Sequence, residues 1–480
     1  MSRCRLAVAT LAAVAAATLG CTLEPRYRRP KAPIAREFPS GGAYGERNPT
    51  ELAAVRYVDV FRDPNLRAVI ASALANSRDL RVAAANVLSA RAQYRAARAG
   101  LFPRVDANAG VLIGGGAPSS AAGTGAATNA ASPSADDIYH VYSANLALTS
   151  FELDLFGRVR SSSNAALEAY FATQAGARAA RLSLVSEVAL QYLTLATDRS
   201  QLAIAKETLQ NAGTSAELAR ARLRGGIAAL LDLRQAETVV LQARASIAQR
   251  TTAVEQDLNA LDLLAGAPVD RARLPRDLAS VAALVVELPA GVRSEVLLRR
   301  PDVMQAEFLL RSANARIGAA RAAFFPTISL TGLLGFASTS LTNLFTSDAF
   351  GWNVRPTASV NLFNGGANQA NLEYSWAQRA LYLAEYERAI QRAFREVADA
   401  LARQGTIAEQ LAAEREVVSV AEDSYRLAEA RYRGGVESFL ATLEAQRTLF
   451  AARQSLVQTE LVRAQTLVSL YRALGADSFE

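Results

Sequence analysis

The chain is 480 residues long, with 52 Lys and Arg against 45 Asp and Glu, one histidine, two cysteines and 51% hydrophobic residues. His140 alone, with Cys4 and Cys21 both near the N-terminus, cannot assemble a zinc site, a Cys–His dyad, a Ser–His–Asp triad or a haem pair. The two lysines, Lys31 and Lys206, stand in no P-loop or Schiff-base context, and no Gly-rich strand-to-helix turn suits a dinucleotide. Neither an enzyme, a cofactor nor a metal site is expected, and the small, dispersed positive excess does not suggest nucleic-acid binding. Length alone would suggest about three domains.

Residues 1–20 carry Arg3 and Arg5, then an apolar run from Leu6 to Leu19, and read as a secretory signal peptide, too short for a transmembrane helix. One reading is ordinary cleavage after a small residue. The other is a bacterial lipoprotein signal, with Cys21 as the lipid-modified first residue and membrane anchor. Thr18-Leu19-Gly20-Cys21 resembles a lipobox, with Thr18 where Leu is more usual and Leu19 where a small residue is. Thr22 after the cysteine favours, by the same resemblance, sorting to the outer membrane. Processing leaves 460 residues and lowers the net charge from +7 to +5, because Arg3 and Arg5 depart.

The remainder is a duplicated unit. Arg220–Gln249 and Glu429–Gln458 align at an offset of 209 and share Ala221, Arg222, Arg224, Gly225, Gly226, Leu231 and further positions with their counterparts. A second pair, Ala96–Pro103 and Ala319–Pro326, aligns at an offset of 223 and ends each time in Phe-Pro. In chain order the first unit reads as a helix over Asp79–Leu101, a strand at 103–113, an exposed Gly/Ala/Ser-rich loop over Gly114–Asp137, and a strand at 140–154. A long helix from Gly157 to Arg224, a tip at 224–227 and a returning helix over Ala229–Ala265 follow. The second unit repeats this with a helix over Asp302–Ala323, strands at 326–336 and 351–363, a helix from Gly366 to Arg433, a tip at 433–436 and a helix over Ser438–Leu474. The helices carry 3,4-spaced apolar positions such as Ile390, Phe394, Val397 and Leu401. Strands alternate, as in Val105, Ala107, Ala109, Val111 and Ile113. Phe102-Pro103 and Phe325-Pro326 explain each switch, since proline ends a helix and pushes the preceding residue to extended backbone.

Each long helix spans 68 residues, about 100 Å at 1.5 Å per residue, so it must pack along its whole length and cannot be a compact domain. Four alternating segments of about ten residues suit a transmembrane β-barrel, yet the smallest such barrels need about eight strands, so the chain should oligomerise. A soluble coiled-coil scaffold without a pore is the rival reading.

These residues resemble the TolC-type outer-membrane efflux proteins, in their lipoprotein branch. The marks are Cys21–Pro30, the Phe-Pro and Leu-Phe-Asn-Gly junctions, and Tyr432-Arg433-Gly434-Gly435-Val436 leading to Leu443-Glu444-Ala445-Gln446-Arg447. The resemblance covers Cys21–Ala476 in order. It implies a mainly α fold with a small transmembrane β-barrel portion, made by a homotrimer sharing a 12-stranded β-barrel and a 12-helix periplasmic α-barrel. The domain plan becomes signal 1–20, lipidated N-terminal segment and equatorial region 21–78, first repeat 79–265, inter-repeat equatorial region 266–301, second repeat 302–474 and tail 475–480. The implied function is a passive exit duct in the bacterial outer membrane for drugs or other small toxic compounds. It docks to a periplasmic adaptor and an inner-membrane pump of the resistance-nodulation-division class. A type I secretion duct for proteins is the alternative from the same fold.

The resemblance makes Arg224, Gly225, Gly226, Ile227, Arg433, Gly434, Gly435 and Val436 the adaptor-docking tips. Their glycines also have a purely structural use, as left-handed helix ends. It places the periplasmic gate at Leu440, Glu444 and Arg447, with Asp232 and Tyr432 as latch partners between helices. Three-fold symmetry would gather the leucines into an apolar plug and the glutamates into a cation-attracting ring. Ala441 and Glu437 depart from relatives that carry an acid and an arginine there.

Overall fold

The computed structural model describes residues 22–44, 57–115, 138–283, 285 and 293–475. The signal segment, Cys21, most of the Gly/Ala/Ser-rich loop and the last five residues lie outside the described residues. The main elements are α1 (Pro64–Asn76), α2 (Arg78–Ala99), β1 (Val105–Gly115), β2 (Ile138–Glu152), α3 (Arg158–Arg224), α4 (Leu230–Ala265), α5 (Pro301–Ala322), β3 (Thr327–Ser338), β4 (Phe350–Ser359), α6 (Ala367–Arg433) and α7 (Phe439–Ala473). The chain forms two compact units, and four helices contribute residues to both.

The first unit gathers residues 1–30, 87–172 and 307–385. Its four strands form one antiparallel meander in the order β1-β2-β3-β4. The register stacks Ala107, Leu146, Leu334 and Trp352 in one row, flanked by the rows Val105–Leu148–Gly332–Val354 and Ala109–Ala144–Phe336–Phe350. The opposite face carries Asp106, Asn108, Ser143, Asn145, Asn353 and Arg355. Both faces are open, and the apolar one is exposed along its length: Trp352 is 69% exposed, and Val105, Val111, Ile113, Leu146, Leu334 and Val354 are exposed with it. Period-2 alternation has thus put apolar residues on a face with no protein over it.

β4 stops at Ser359, four residues short of the expected end at 363. Its last partner is Thr327, the residue after Pro326, and proline offers no N–H to extend the ladder. β2 bulges between Leu148 and Phe151, where Ser150 has φ +47°, a strand irregularity invisible to an alternation count. The repeat junctions meet: Phe156 stacks on Phe325 with ring centres 4.7 Å apart.

Residues 22–30 lie along α5. Arg321 donates to the Leu23 carbonyl (3.1 Å) and Asn314 to that of Pro25 (2.7 Å). Tyr27 and Arg29 reach Glu307, which also takes a 2.6 Å bond from Arg311. The segment runs antiparallel to the helix, and Gly318 admits it, since a Cβ there would lie 2.5 Å from Glu24 Cγ. Burial works against the Glu307 carboxylate, but hydrogen bonds from Arg29 and Arg311 outweigh it and hold the group below its ordinary value.

The second unit gathers residues 31–86, 173–306 and 386–480. Proline is absent from both long helices, so α3 and α6 each run 67 residues without a break. Its core centres on Phe61, Ile70, Tyr192, Leu193, Tyr386, Ile390 and Tyr471. The Tyr192 hydroxyl donates to the Arg273 carbonyl at 2.8 Å. Buried Arg300 ties Asp302 (2.8 Å), Glu396 (2.8 Å) and the Ala473 carbonyl (2.7 Å). Gly405 in α6 leaves room for the main-chain carbonyl of Ala43.

Between α3 and α4 two carboxyls face each other. Burial, then the charge of Asp198, pushes Asp257 up to about 6, against a 2.9 Å hydrogen bond from Gln191; Arg250 holds Asp198 at 3.0 Å. A raised folded value means that this site favours folding most below the ordinary carboxylate range and loses that contribution as pH rises towards 6. Asp257→Asn is therefore expected to stabilise the fold at pH 8, by about 1 kcal/mol once solvent screening of this half-buried group is discounted, and to change it little at pH 4. Circular dichroism melts in detergent at both values check this; equal shifts of the thermal midpoint at both would contradict it.

Candidate functional site

The two hairpin tips are built alike. α3 ends on Arg224; Gly226 N donates to Leu223 O and Ile227 N to Arg222 O, both at 3.0 Å, with Gly226 at φ +75°. α6 ends on Arg433; Gly435 N donates to Tyr432 O and Val436 N to Arg431 O, both at 3.0 Å, with Gly435 at φ +75°. This paired bonding of a left-handed residue closes a helix by satisfying its last carbonyls, and glycine adopts that backbone without a Cβ clash. Gly225, Gly226, Gly434 and Gly435 are exposed, and Ile227 and Val436 stand out at 69% and 72% exposure. Arg433 pairs with Glu429 at 2.7 Å, while Arg224 is exposed. Each tip thus presents bare main chain and one aliphatic side chain.

Behind the tips, the hairpins share a cluster. Ala212, Ala216, Ala219, Leu233, Ala236 and Val239 from the first repeat enclose Tyr432, Phe439 and Leu443 from the second. Alanines let the backbones approach closely, so two aromatic side chains fill the space. Tyr432, 3% exposed, meets Phe439 edge-to-face at 5.3 Å. Arg222 completes the group from α3. Its guanidinium lies 4.7 Å above the Tyr432 ring and donates to the Tyr432 carbonyl.

The proposed gate residues fall on one face of α7. Leu440, Glu444 and Arg447 follow an i, i+4, i+7 spacing, and all three are exposed, Leu440 by 51%. Next to each in the chain, Phe439, Leu443 and Gln446 face inward. Glu444 and Arg447 form a 3.7 Å ion pair. Asp232 sits half-buried in the first turn of α4, where the helix N-terminus favours an acid. It acts on Tyr432 through charge alone: burial raises the phenol's pKa first, Arg222 opposes this and Asp232 adds to it. Among the described residues the buried Tyr432 hydroxyl has no hydrogen-bond partner, so within the protomer Asp232 and Tyr432 are not bonded to each other. Glu437 pairs within its own hairpin with Arg431 at 2.8 Å.

Arg222 was not among the residues singled out in the sequence. Its one signal was its recurrence in the repeat as Arg431, which says nothing of where the side chain goes.

A small sheet with one uncovered apolar face, joined to paired 67-residue helices that end in glycine tips, defines a channel-type membrane protein with a long helical portion. The chain belongs to the outer membrane efflux protein family, whose model matches residues 69–267 and 292–476. A toluene efflux pump outer membrane protein of Pseudomonas putida, TtgC, is 42% identical over 467 residues, 96% of this chain and 93% of the relative. Outer membrane protein OprJ of Pseudomonas aeruginosa is 38% identical over 465 residues, 96% of this chain and 94% of its own. Among solved structures, that of CusC superposes with a TM-score of 0.84 at 36% identity, covering 95% of this chain and all of that one. The open state of the MtrE outer membrane channel of Neisseria gonorrhoeae gives 0.80 at 34% identity, covering 95% and 98%. The expectation of a mainly helical outer-membrane efflux protein with a small strand portion is borne out by these findings.

Proposed function

We propose that the chain is the exit duct of a tripartite efflux pump, working as a homotrimer that joins three four-stranded sheets into one barrel in the outer membrane. The observation that carries this reading is the sheet itself, with an exposed apolar face, the strand polar groups Asp106, Asn108, Asn145 and Asn353 on the other, and β1 and β4 each paired on one side only among the described residues. In hydrocarbon such edges require partners, and apolar-out, polar-in alternation is the pattern of a water-filled barrel. The duct performs no chemistry, and energy comes from an inner-membrane pump of the resistance-nodulation-division class through a periplasmic adaptor docked on the tips. Curated relatives named for toluene, solvent and antibiotic efflux support drugs or other small toxic compounds as cargo over secreted protein. Cys21, acylated, anchors the N-terminus. The domain plan belongs to the same proposal: lipidated segment, two repeats, and the equatorial stretches before and between them.

Leu440, Glu444 and Arg447 form the gate. The purified protein in planar bilayers is expected to conduct ions, and Leu440→Gly or Glu444→Ala to raise single-channel conductance about two-fold or more by opening the apolar and acidic rings. A wild-type protein that never conducts would sink the duct, and unchanged conductance in both variants would sink the gate.

The tips dock the adaptor by close main-chain approach. Gly435→Trp is expected to abolish drug resistance in a complemented deletion strain while protein level and trimer are retained; normal resistance would reject docking there. Radioactive palmitate is expected to label the wild-type protein and not Cys21→Ser; equal labelling or none would remove the anchor.

A further inference from the structure

Arg222 lies in the last turn of α3, and the group it holds belongs to the other repeat, 210 residues later. We propose that the Arg222 guanidinium, seated on Tyr432 and bonded to its carbonyl, is the link that ties a protomer's two hairpin tips together and keeps the constriction narrow. The inference rests on the duct reading above and adds the residue that regulates it.

Three observations carry it. The first is the seat. The Tyr432 carbonyl is at the C-terminal end of α6, where the helix dipole is negative; it takes Gly435 N on one lone pair and offers the other to a cation. A charge-assisted bond there, combined with a cation over an aromatic face, makes one side chain grip both the main chain and the ring. Gly435 keeps the place open, since a Cβ on it would lie 3.3 Å from Arg222 Nη2. The second is what the tyrosine leads to. Its ring packs on fully buried Phe439, the first residue of α7, and the next residue is Leu440. Arg222 is thereby connected to the gate-bearing helix through two packed rings. The third is the broken symmetry of the duplication. Arg431, the counterpart of Arg222, is held within its own hairpin by Glu437. The counterpart of Glu437 in the first repeat is Ala228, which offers no acid, and Arg222 crosses to the second hairpin instead.

Among the described residues the Tyr432 hydroxyl has no hydrogen-bond partner, so it does not tie the two hairpins of one protomer. This separates the arginine link from a tyrosine–aspartate latch, because the two make opposite demands on Tyr432→Phe, which keeps ring and carbonyl and removes only the hydroxyl.

The test is single-channel conductance of full-length purified trimers in planar bilayers, with Leu440→Gly as the open reference. R222A is expected to raise mean conductance about two-fold or more, by losing both the cation over the ring and the charged bond. R222K, which keeps a cation but not the planar fork, should fall between R222A and wild type. Tyr432→Phe should match wild type. R222A at wild-type conductance while Leu440→Gly opens would overturn the link and leave the duct standing. So would Tyr432→Phe opening as far as R222A, since the hydroxyl would then be the tie. A wild-type protein that fails to conduct removes the duct and the link with it. Should R222A fail to form trimers, R222K decides alone: an intermediate conductance supports the link, and a wild-type value overturns it.

Discussion

The obligation that every peptide N–H and C=O in hydrocarbon find a partner governs the remainder of this molecule. A helix meets it internally, but a sheet meets it only when it has no edges. Four strands in the order β1-β2-β3-β4 satisfy their inner neighbours and leave two edges open. Had both faces been polar, those edges could be left to water. With Trp352, Val354, Val105 and Leu334 on one of them, water is the wrong solvent for it and lipid the right one. Lipid in turn forbids the open edges. Closure through further copies is the solution the proposed assembly supplies, and no rearrangement of one chain's four strands would do as well.

The same economy shapes the helical portion. Alanine is placed where backbones must come close, as at Ala212, Ala216, Ala219 and Ala236, and each alanine removes side-chain volume that something else must replace. Near the tips that volume is concentrated in Tyr432 and Phe439. An aromatic pair in an alanine-lined space is stiff, because little else can shift to let it move. A displacement of one ring is therefore passed to the next, which is the property a gate near the tip needs. Glycine serves the opposite end, ending each long helix with main chain exposed and satisfied.

Much of this was written plainly in the sequence. The Phe-Pro junctions marked where helix gives way to strand, and repeated Arg-Gly-Gly marked the tips, because proline and glycine act through their own backbone chemistry and need no tertiary context. Helix ends at Ala99, Arg224, Ala265, Ala322 and Arg433 lie within two residues of the pattern's own. What escaped depends on neighbours distant in the chain. β4 ends where its partner meets Pro326; the bulge at Ser150 answers to β3; and the seat of residues 22–30 on α5 required Gly318, Asn314 and Glu307 to be side by side. Nor do the compact units follow the duplication, since each takes strands or helices from both copies. Arg222 belongs with these: its identity was visible, its destination was not.

Duplication leaves a chain with two equal hairpins, and the proposed gate depends on their having become unequal. The counterparts of Leu440, Glu444 and Arg447 are Leu231, Gln235 and Thr238, so the first hairpin keeps the leucine and loses both charges. Acid has moved the other way at the next position, with Asp232 opposite Ala441. In the proposed gate, each protomer then has Glu444 and Arg447 on one hairpin and the uncharged Gln235 and Thr238 at the matching places of the other. In the proposed trimer, six acids converging on an axis would repel one another strongly and raise the cost of a narrow resting state; three, each beside its own Arg447, would cost less and still attract cations. The same inequality places Glu437 on the second hairpin and Ala228 on the first, holding Arg431 at home and sending Arg222 across. The proposed clasp needs a second inequality as well, since Tyr432 and Phe439, on which it closes, stand where the first repeat has Leu223 and Leu230.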